Sequence, residues 1–153
     1  SAAYAKHAQR VRRGLALIGR SEVIVQDEIA SRDATNLWWF AHTSADIRLR
    51  EDGKEAVLAQ GERRLRARLL CAPAGVKFEV LPAAPLPSSP KPEKQGSNER
   101  VRKLAVHVEG RPTGTISVAF RLLTQEEQVR PTAPVFVPLD AWNTGDWPYE
   151  PAR

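Results

Sequence analysis

Residues 23–43, VIVQDEIASRDATNLWWFAHT, decide the fold of this chain. The stretch contains two strand-like runs joined by a polar turn. The first run leads into an acidic pair, Asp27 and Glu28, and the second carries two tryptophans followed by His42. β-Branched and aromatic residues bounded by polar ones are typical of strands. The segment therefore predicts two strands that pair with each other, and it contains no residue set that by itself defines a reaction.

Apolar and polar residues alternate along most of the chain, as in antiparallel sheets with one buried face and one face in water. The alternating runs lie at residues 15–19, 23–26, 47–50, 64–69, 76–80, 106–109 and 116–121. Turn-forming residues separate the runs at 19–21, 52–53, 60–61 and 111–114. Helix signals are nearly absent, apart from one turn at 124–129. These patterns predict an all-β fold, an antiparallel β-sandwich of about 8–10 strands.

Two proline-rich segments accompany the alternating part. Residues 82–98, PAAPLPSSPKPEKQGSN, contain five prolines and predict a long loop, because proline cannot donate to a central strand. Residues 129–153 form a second proline-rich stretch, the C-terminal tail. Within the tail, residues 134–142, PVFVPLDAW, predict an edge segment that packs its large apolar side chains on the body. The length of 153 residues predicts a single domain, residues 1–153.

Composition excludes several classes of protein. The longest apolar runs fall far short of the roughly 20 residues that a membrane span needs. The net charge of +5 favours an anionic partner, and the alternative, which explains a charge of this size equally well, is solubility alone. The recognition helices and aromatic motifs of nucleic-acid-binding domains are lacking, so neither a nucleic acid nor a membrane is predicted as a partner. The chain contains no methionine, even at its start, which predicts a mature product or an excised fragment.

Cysteine and histidine give no sign of a metal centre. Cys71 is the only cysteine, so an internal disulfide and a zinc site with four thiolates are excluded. Its apolar neighbours predict a small buried hydrophobic residue. His7, His42 and His107 show no HxH or HExxH spacing, so the sequence predicts no metal ligand and no cofactor.

The stretch that decides the fold also holds the first candidate site. His42 with Asp27 or Glu28 forms a hypothetical acid–base pair across neighbouring strands. The alternative is a hydrogen-bonded structural histidine. Trp38 and Trp39 point to opposite faces of one strand, because side chains alternate along it. Trp39 is then predicted in the core, while Trp38 faces outward and offers an indole ring for stacking on a sugar or a base.

Arginines provide the second candidate site. Arg48 and Arg50 share one face of their strand, and Arg64, Arg66 and Arg68 share one face of theirs. If the intervening turns fold as expected, the two strands are near neighbours and the arginines form a cationic stripe. Guanidinium forks match carboxylates and sulfates. The alternative is a solvated outer face whose charges discourage aggregation.

The order VIVQDEI, turn, WWFAHT resembles the C-terminal β-sheet region of heparinase II/III-type polysaccharide lyases. Residues 4–18, YAKHAQRVRRGLALI, are similar to the strand that leads into the aspartate of that family. Further segments follow in the family's order at residues 45–47, 56–58, 65–70, 77–80, 102–106 and 115–118. The similarity covers roughly residues 4–123.

The resemblance implies an α/α-toroid followed by β-sandwich layers, and cleavage of uronic-acid glycosidic bonds by β-elimination. The family's catalytic and metal-binding residues lie upstream of the part matched here, and no HxH segment occurs in this chain. No catalytic residue, metal ligand or cofactor is therefore carried over. Asp27, Trp39 and His42 become fold-defining residues in this interpretation.

Two functions follow as hypotheses. The resemblance implies the C-terminal β-sandwich portion of a periplasmic or secreted lyase, inactive in isolation. Its partners would be the catalytic toroid domain of the parent chain and an acidic polysaccharide such as a glycosaminoglycan. The alternative is a free-standing carbohydrate-binding module that uses the arginines and Trp38.

Overall fold

The computed structural model describes residues 4–33, 36–87, 89, 93, 98–110, 112–124 and 134–142. Nine β-strands and one short 3-10 helix, Leu139–Ala141, lie in these ranges. The strands are β1 (Ala8–Ile18), β2 (Glu22–Ser31), β3 (Leu37–Thr43), β4 (Asp46–Leu49), β5 (Glu55–Gln60), β6 (Arg63–Cys71), β7 (Phe78–Pro82), β8 (Arg102–Val108) and β9 (Thr113–Leu122). The predicted all-β fold is confirmed.

The strands form two antiparallel sheets that pack face to face. One sheet has six strands in the order β1-β2-β9-β6-β5-β4, and the other has three in the order β3-β8-β7. Within the six-stranded sheet, β2 pairs with β1 and β9. β3 pairs instead with β8 in the other sheet.

The pairing predicted for residues 23–43 is therefore wrong, because this stretch crosses from one sheet to the other. Both edges of β2 are already occupied by other strands. The polar linker after β2 carries the chain across to the second sheet, where Trp39 faces the first. A hydrophobic pattern shows which face of a strand is buried but leaves its neighbour open.

Most of the predicted turns are confirmed. Gly19 and Arg20 both have positive φ, 53° and 61°, which suits a tight hairpin between β1 and β2. Asp52 Oδ1 accepts a hydrogen bond of 2.8 Å from the backbone N–H of Lys54 between β4 and β5. A turn over residues 111–114 is contradicted in part, since β9 already begins at Thr113 and residue 111 lies outside the described residues.

The core lies between the two sheets. Trp39 is only 5% exposed and its ring lies 6.3 Å from that of Phe120 on the opposite sheet. Trp38 points to the outer face of the three-stranded sheet, as predicted. Burial of each large apolar side chain contributes roughly 1.5–3 kcal/mol. The core residues are Trp39, Ala45, Ala56, Leu58, Ala67, Leu69, Phe78, Leu104, Val106, Val108, Ile116 and Val118.

One end of the six-stranded sheet extends beyond this core. Leu15 and Leu17 of β1 are 69% and 68% exposed, and Leu122 of β9 is 51% exposed. Cross-strand pairing places Leu17 beside Val23, which in turn lies beside Phe120, so these residues share the face that the core uses elsewhere. The three-stranded sheet therefore covers only part of its larger partner.

Residues 134–142, here called the C-terminal segment, pack on the outer face of β1 and β2. Gln26 Nε2 donates to the carbonyl of Val137 at 3.0 Å, and the backbone N–H of Leu139 donates to Glu28 Oε1 at 3.0 Å. The predicted return of this stretch to the body is confirmed, but it crosses a sheet face rather than extending an edge. The helical turn predicted at 124–129 lies outside the described residues, apart from Thr124.

The predicted proline-rich loop, residues 82–98, is described at 82–87, 89, 93 and 98. Ala83 at its start is buried. Lys103 of β8 donates from Nζ to the carbonyl of Ala84 at 2.6 Å. The first part of the loop is therefore held against the outer face of the three-stranded sheet.

Candidate functional site

The outer face of the six-stranded sheet carries the predicted arginines. The strand register sets Arg48, Val57, Arg66, Arg121 and Glu22 in one row across five strands. A neighbouring row pairs Glu55 with Arg68, and Arg64 lies opposite Ala59. We call this surface the arginine face; it comprises Arg48, Arg64, Arg66, Arg68 and Arg121, with Arg50 directly after β4. The predicted proximity of the two arginine-bearing strands is confirmed, because β4 and β6 both flank β5.

The arginines of this face differ in their exposure. Arg66 is 6% exposed, and burial lowers the pKa of its guanidinium. Arg68 Nε lies 3.4 Å from Glu55 Oε1, and Arg121 Nη1 lies 3.6 Å from the buried Glu22 Oε2. Buried charges are expensive unless they are matched by opposite charges nearby. These residues therefore balance charge within the sheet.

Two of the three remaining arginines face water. Arg48 and Arg50 are exposed, and Arg64 is half-buried with its Nη1 donating to the carbonyl of Gly61 at 2.6 Å. The side chains with freedom to bind a ligand are thus at the β4 edge. Arg121 was missed as a member of this surface, since its neighbour across the sheet is β6 and nothing in the sequence indicates that pairing.

An aromatic row occupies the outer face of the three-stranded sheet. The Trp38 ring stacks on His107 with centroids 3.8 Å apart, and it lies 5.7 Å from the Phe40 ring. Lys103 Nζ lies 4.6 Å from the centroid of Phe40, a cation–π contact. His42 ends the row, with its ring 6.0 Å from Phe40 in an edge-on arrangement. The row explains why these residue types recur at every second position of β3.

The hypothetical acid–base pair of His42 with Asp27 or Glu28 is contradicted. His42 lies on β3 of the three-stranded sheet, whereas both carboxylates lie on β2 of the other. Each carboxylate also has its own cationic partner: Asp27 is bound by Arg13, and Glu28 by Arg12. No proton transfer between His42 and these groups is supported by this geometry.

A cleft of about 480 Å³ opens beside the core, between the inner face of β1–β2 and the start of β3. Part of its lining is apolar and includes Val11, Ile29 and Ile116. Asp27 also lines it, with its side chain 7% exposed. Arg13 grips that carboxylate with two hydrogen bonds, from Nε to Oδ1 and from Nη2 to Oδ2, both 2.7 Å long. This ion pair raises the pKa of the Arg13 guanidinium.

Polar and aromatic residues also line the cleft. Tyr4, His7, Asn36 and Trp38 all contribute to its lining. The N-terminal turn that presents the first two is held by a hydrogen bond of 3.0 Å from the backbone N–H of His7 to the carbonyl of Tyr4. Asn36 Oδ1 lies 3.0 Å from His107 Nε2, which also fixes the neighbouring Trp38. Sequence patterns did not indicate this cleft, because its residues come from distant parts of the chain.

Among the described residues, few side chains could bind a metal ion or undergo redox chemistry. Within the described ranges, no three His, Cys, Asp or Glu side chains cluster as metal ligands would. Cys71 is a free thiol at the end of β6, half-buried, and burial raises its pKa. Across the part of the chain described, no helix is long and apolar enough to cross a membrane.

No protein-family model matches the chain, and no curated protein is significantly similar to it.

Proposed function

We propose that this chain is the C-terminal β-sandwich portion of a heparinase II/III-like polysaccharide lyase and that its arginine face holds an acidic polysaccharide. The resemblance described for residues 4–123 motivates the family. The observation that carries the binding function is the gathering of arginines from β4, β6 and β9 on one face of the sheet, with Arg48 and Arg50 exposed at the β4 edge. Guanidinium groups in such an array match the carboxylates and sulfates of acidic glycans.

The arginine face combines arginines paired within the sheet with arginines exposed at its β4 edge. Arg66 and Arg121 are held within the sheet, beside Glu22 and Glu55. Arg48 and Arg50 lie at the exposed edge and supply the direct contacts. Exposed ion pairs contribute only about 0.2–1 kcal/mol each and weaken with salt. Affinity for a polyanion therefore comes from several contacts along the polymer.

The chemistry of β-elimination belongs, in this proposal, to the catalytic toroid domain of the parent chain. The sandwich supports that domain and extends its groove, in a periplasmic or secreted enzyme. In this proposal the catalytic base comes from the toroid domain, and His42 lies on a different sheet from Asp27 and Glu28. The isolated chain should consequently release no unsaturated uronide from any acidic polysaccharide. Measurable release would contradict the non-catalytic role.

Binding to heparin and to alginate over a salt series tests the arginine face. The double variant Arg48→Ala/Arg50→Ala removes two exposed contacts, so the Kd should rise about 2- to 30-fold at low salt. Arg20→Ala/Arg100→Ala is the matched control, because it removes the same charge from exposed positions elsewhere. Equal losses in both double variants would show that only net charge matters and would refute a defined glycan surface.

The coding sequence upstream of Ser1 separates the lyase from the free-standing carbohydrate-binding module. A helical region followed by an HxH strand there supports the lyase. A different upstream region, together with glycan binding by the isolated chain, supports the carbohydrate-binding module. The aromatic and polar lining of the cleft favours this second function.

A further inference from the structure

The cleft and the arginine face lie on opposite sides of the six-stranded sheet, so they are separate surfaces. The cleft volume of about 480 Å³ falls in the range of roughly 300–1,000 Å³ that is typical of small-molecule sites. Such sites usually have an apolar wall and a few converging polar groups. The side chains of Val11, Ile29 and Ile116 supply the apolar wall.

The ion pair between the buried Asp27 and the exposed Arg13 determines which charge the cleft accepts. Asp27 receives two hydrogen bonds among the described residues, both from Arg13. A carboxylate offers about four acceptor positions, so further donors can be accommodated. Arg13 uses its Nε and Nη2, which leaves its Nη1 for other acceptors. Because the two charges cancel, the pair gives no net attraction to an anion but binds groups that donate and accept together.

A second unmet hydrogen-bonding group lies in the wall of the cleft. Trp39 lines the cleft, and its Nε1–H is buried without an acceptor among the described residues. A buried donor left unpaired costs about 1–3 kcal/mol. This nitrogen is closed to solvent, so Trp39 reports on a ligand through the surroundings of its ring. Asp27 and Nη1 of Arg13 supply the polar contacts for neighbouring hydroxyl groups.

Two aromatic side chains also line the cleft. Tyr4 is 55% exposed, and the Trp38 ring is held by its stack on His107. The C–H face of a pyranose ring packs well on aromatic rings, while its hydroxyl groups reach polar partners. We propose that this cleft binds one neutral pyranose unit, a hexose or an N-acetylhexosamine. The proposal depends on the cleft alone and does not require the lyase assignment.

Titration with methyl glycosides, followed by the indole N–H signals in nuclear magnetic resonance spectra, tests the proposal. The probes are methyl β-glucoside, methyl N-acetyl-β-glucosaminide and methyl β-glucuronide. The neutral glycosides should shift the Trp39 indole signal saturably. The glucuronide should bind no more tightly than the neutral glycosides, because the paired charges offer no net attraction to offset the desolvation of its carboxylate.

Two variants locate the binding. Tyr4→Ala removes an exposed ring near the start of the described chain and should weaken binding about fivefold without loss of folding. Asp27→Asn should weaken it about tenfold or more, because a charge-assisted hydrogen bond is lost. If Asp27→Asn fails to fold, Tyr4→Ala alone decides. Arg48→Ala/Arg50→Ala is the control on the opposite face and should leave the glycoside titration unchanged.

Several results would overturn the proposal: no saturable shift with either neutral glycoside, tighter binding of the glucuronide, or unchanged binding in Tyr4→Ala. These results are distinguishable from a failure of the proposed glycan binding at the arginine face. That failure would appear as unchanged heparin binding in Arg48→Ala/Arg50→Ala, whatever the result of the glycoside titrations.

Discussion

Replacing Gly14 with alanine should destabilise the protein by disturbing the C-terminal segment. Gly14 lies in β1, and its outer side is covered by Leu139 and Trp142. A Cβ at this position would lie 2.6 Å from Trp142 Cζ3 and still closer to Leu139 Cδ2. The φ angle of Gly14 is not positive, so alanine can adopt the same backbone conformation. The clash is therefore a matter of packing alone.

The expected magnitude follows from two opposing terms. Overpacking by one methyl group costs about 1–3 kcal/mol when the neighbours cannot move freely. Reduced freedom of the unfolded chain returns about 0.4–1 kcal/mol. The net loss in the free energy of unfolding should be about 0.5–2 kcal/mol. Lifting the segment instead would expose Leu139 and Trp142, so relief by that route is also unfavourable.

Urea denaturation followed by circular dichroism measures this loss, and a double-mutant cycle assigns its cause. In a Leu139→Ala/Trp142→Ala background the clashing atoms are gone, so Gly14→Ala should become neutral or stabilising by about 0.4–1 kcal/mol. The coupling energy should therefore be about 1–3 kcal/mol. An equal cost for Gly14→Ala in both backgrounds would refute the packing explanation.

Two further predictions concern ionisable groups. The pKa of Glu28 is held below its ordinary value of about 4.3, first by the hydrogen bond from Arg12 and also by that from the Leu139 backbone. The carboxylate therefore stabilises the protein fully above its unfolded pKa, and this stabilisation is lost as the pH falls through the lowered folded pKa. Glu28→Gln should flatten the pH dependence of the unfolding free energy below about pH 4.3. An unchanged slope would contradict the assignment. Burial raises the pKa of Cys71, so its reaction with a thiol reagent should reach half-maximal rate above the ordinary value of about 8.5, and an inflection at or below that value would contradict the burial effect.

Alternation along single strands was enough to predict the fold class. Side chains on a strand alternate between faces, so the pattern around Trp38 and Trp39 places one of them in the core without any knowledge of neighbouring strands. Local turn chemistry was equally informative at Gly19 and Asp52, because backbone conformation there depends on adjacent residues. Strand alternation and turn chemistry together predicted that the arginine-bearing strands lie close to one another.

Long-range pairing was beyond such patterns. The interpretation of β2 and β3 as partners was wrong because alternation constrains which face is buried and leaves the choice of sheet open. The cleft shows the same limit: Asp27 pairs with Arg13 across a hairpin, but it shares the cleft with Trp39 only because two sheets pack together. Whether a buried polar residue is structural or binds a ligand depends on which of its hydrogen-bonding groups the packing leaves without a partner.

The uncovered end of the six-stranded sheet has a calorimetric consequence. Leu15, Leu17 and Leu122 are in large part hydrated before the protein unfolds, so their apolar surface adds little to the heat-capacity change of unfolding. The heat-capacity change of unfolding per residue should therefore fall below the roughly 12–15 cal/mol/K of well-covered domains. A smaller increment flattens the curve of stability against temperature, so this chain should lose less stability on cooling than a fully covered sandwich of its size.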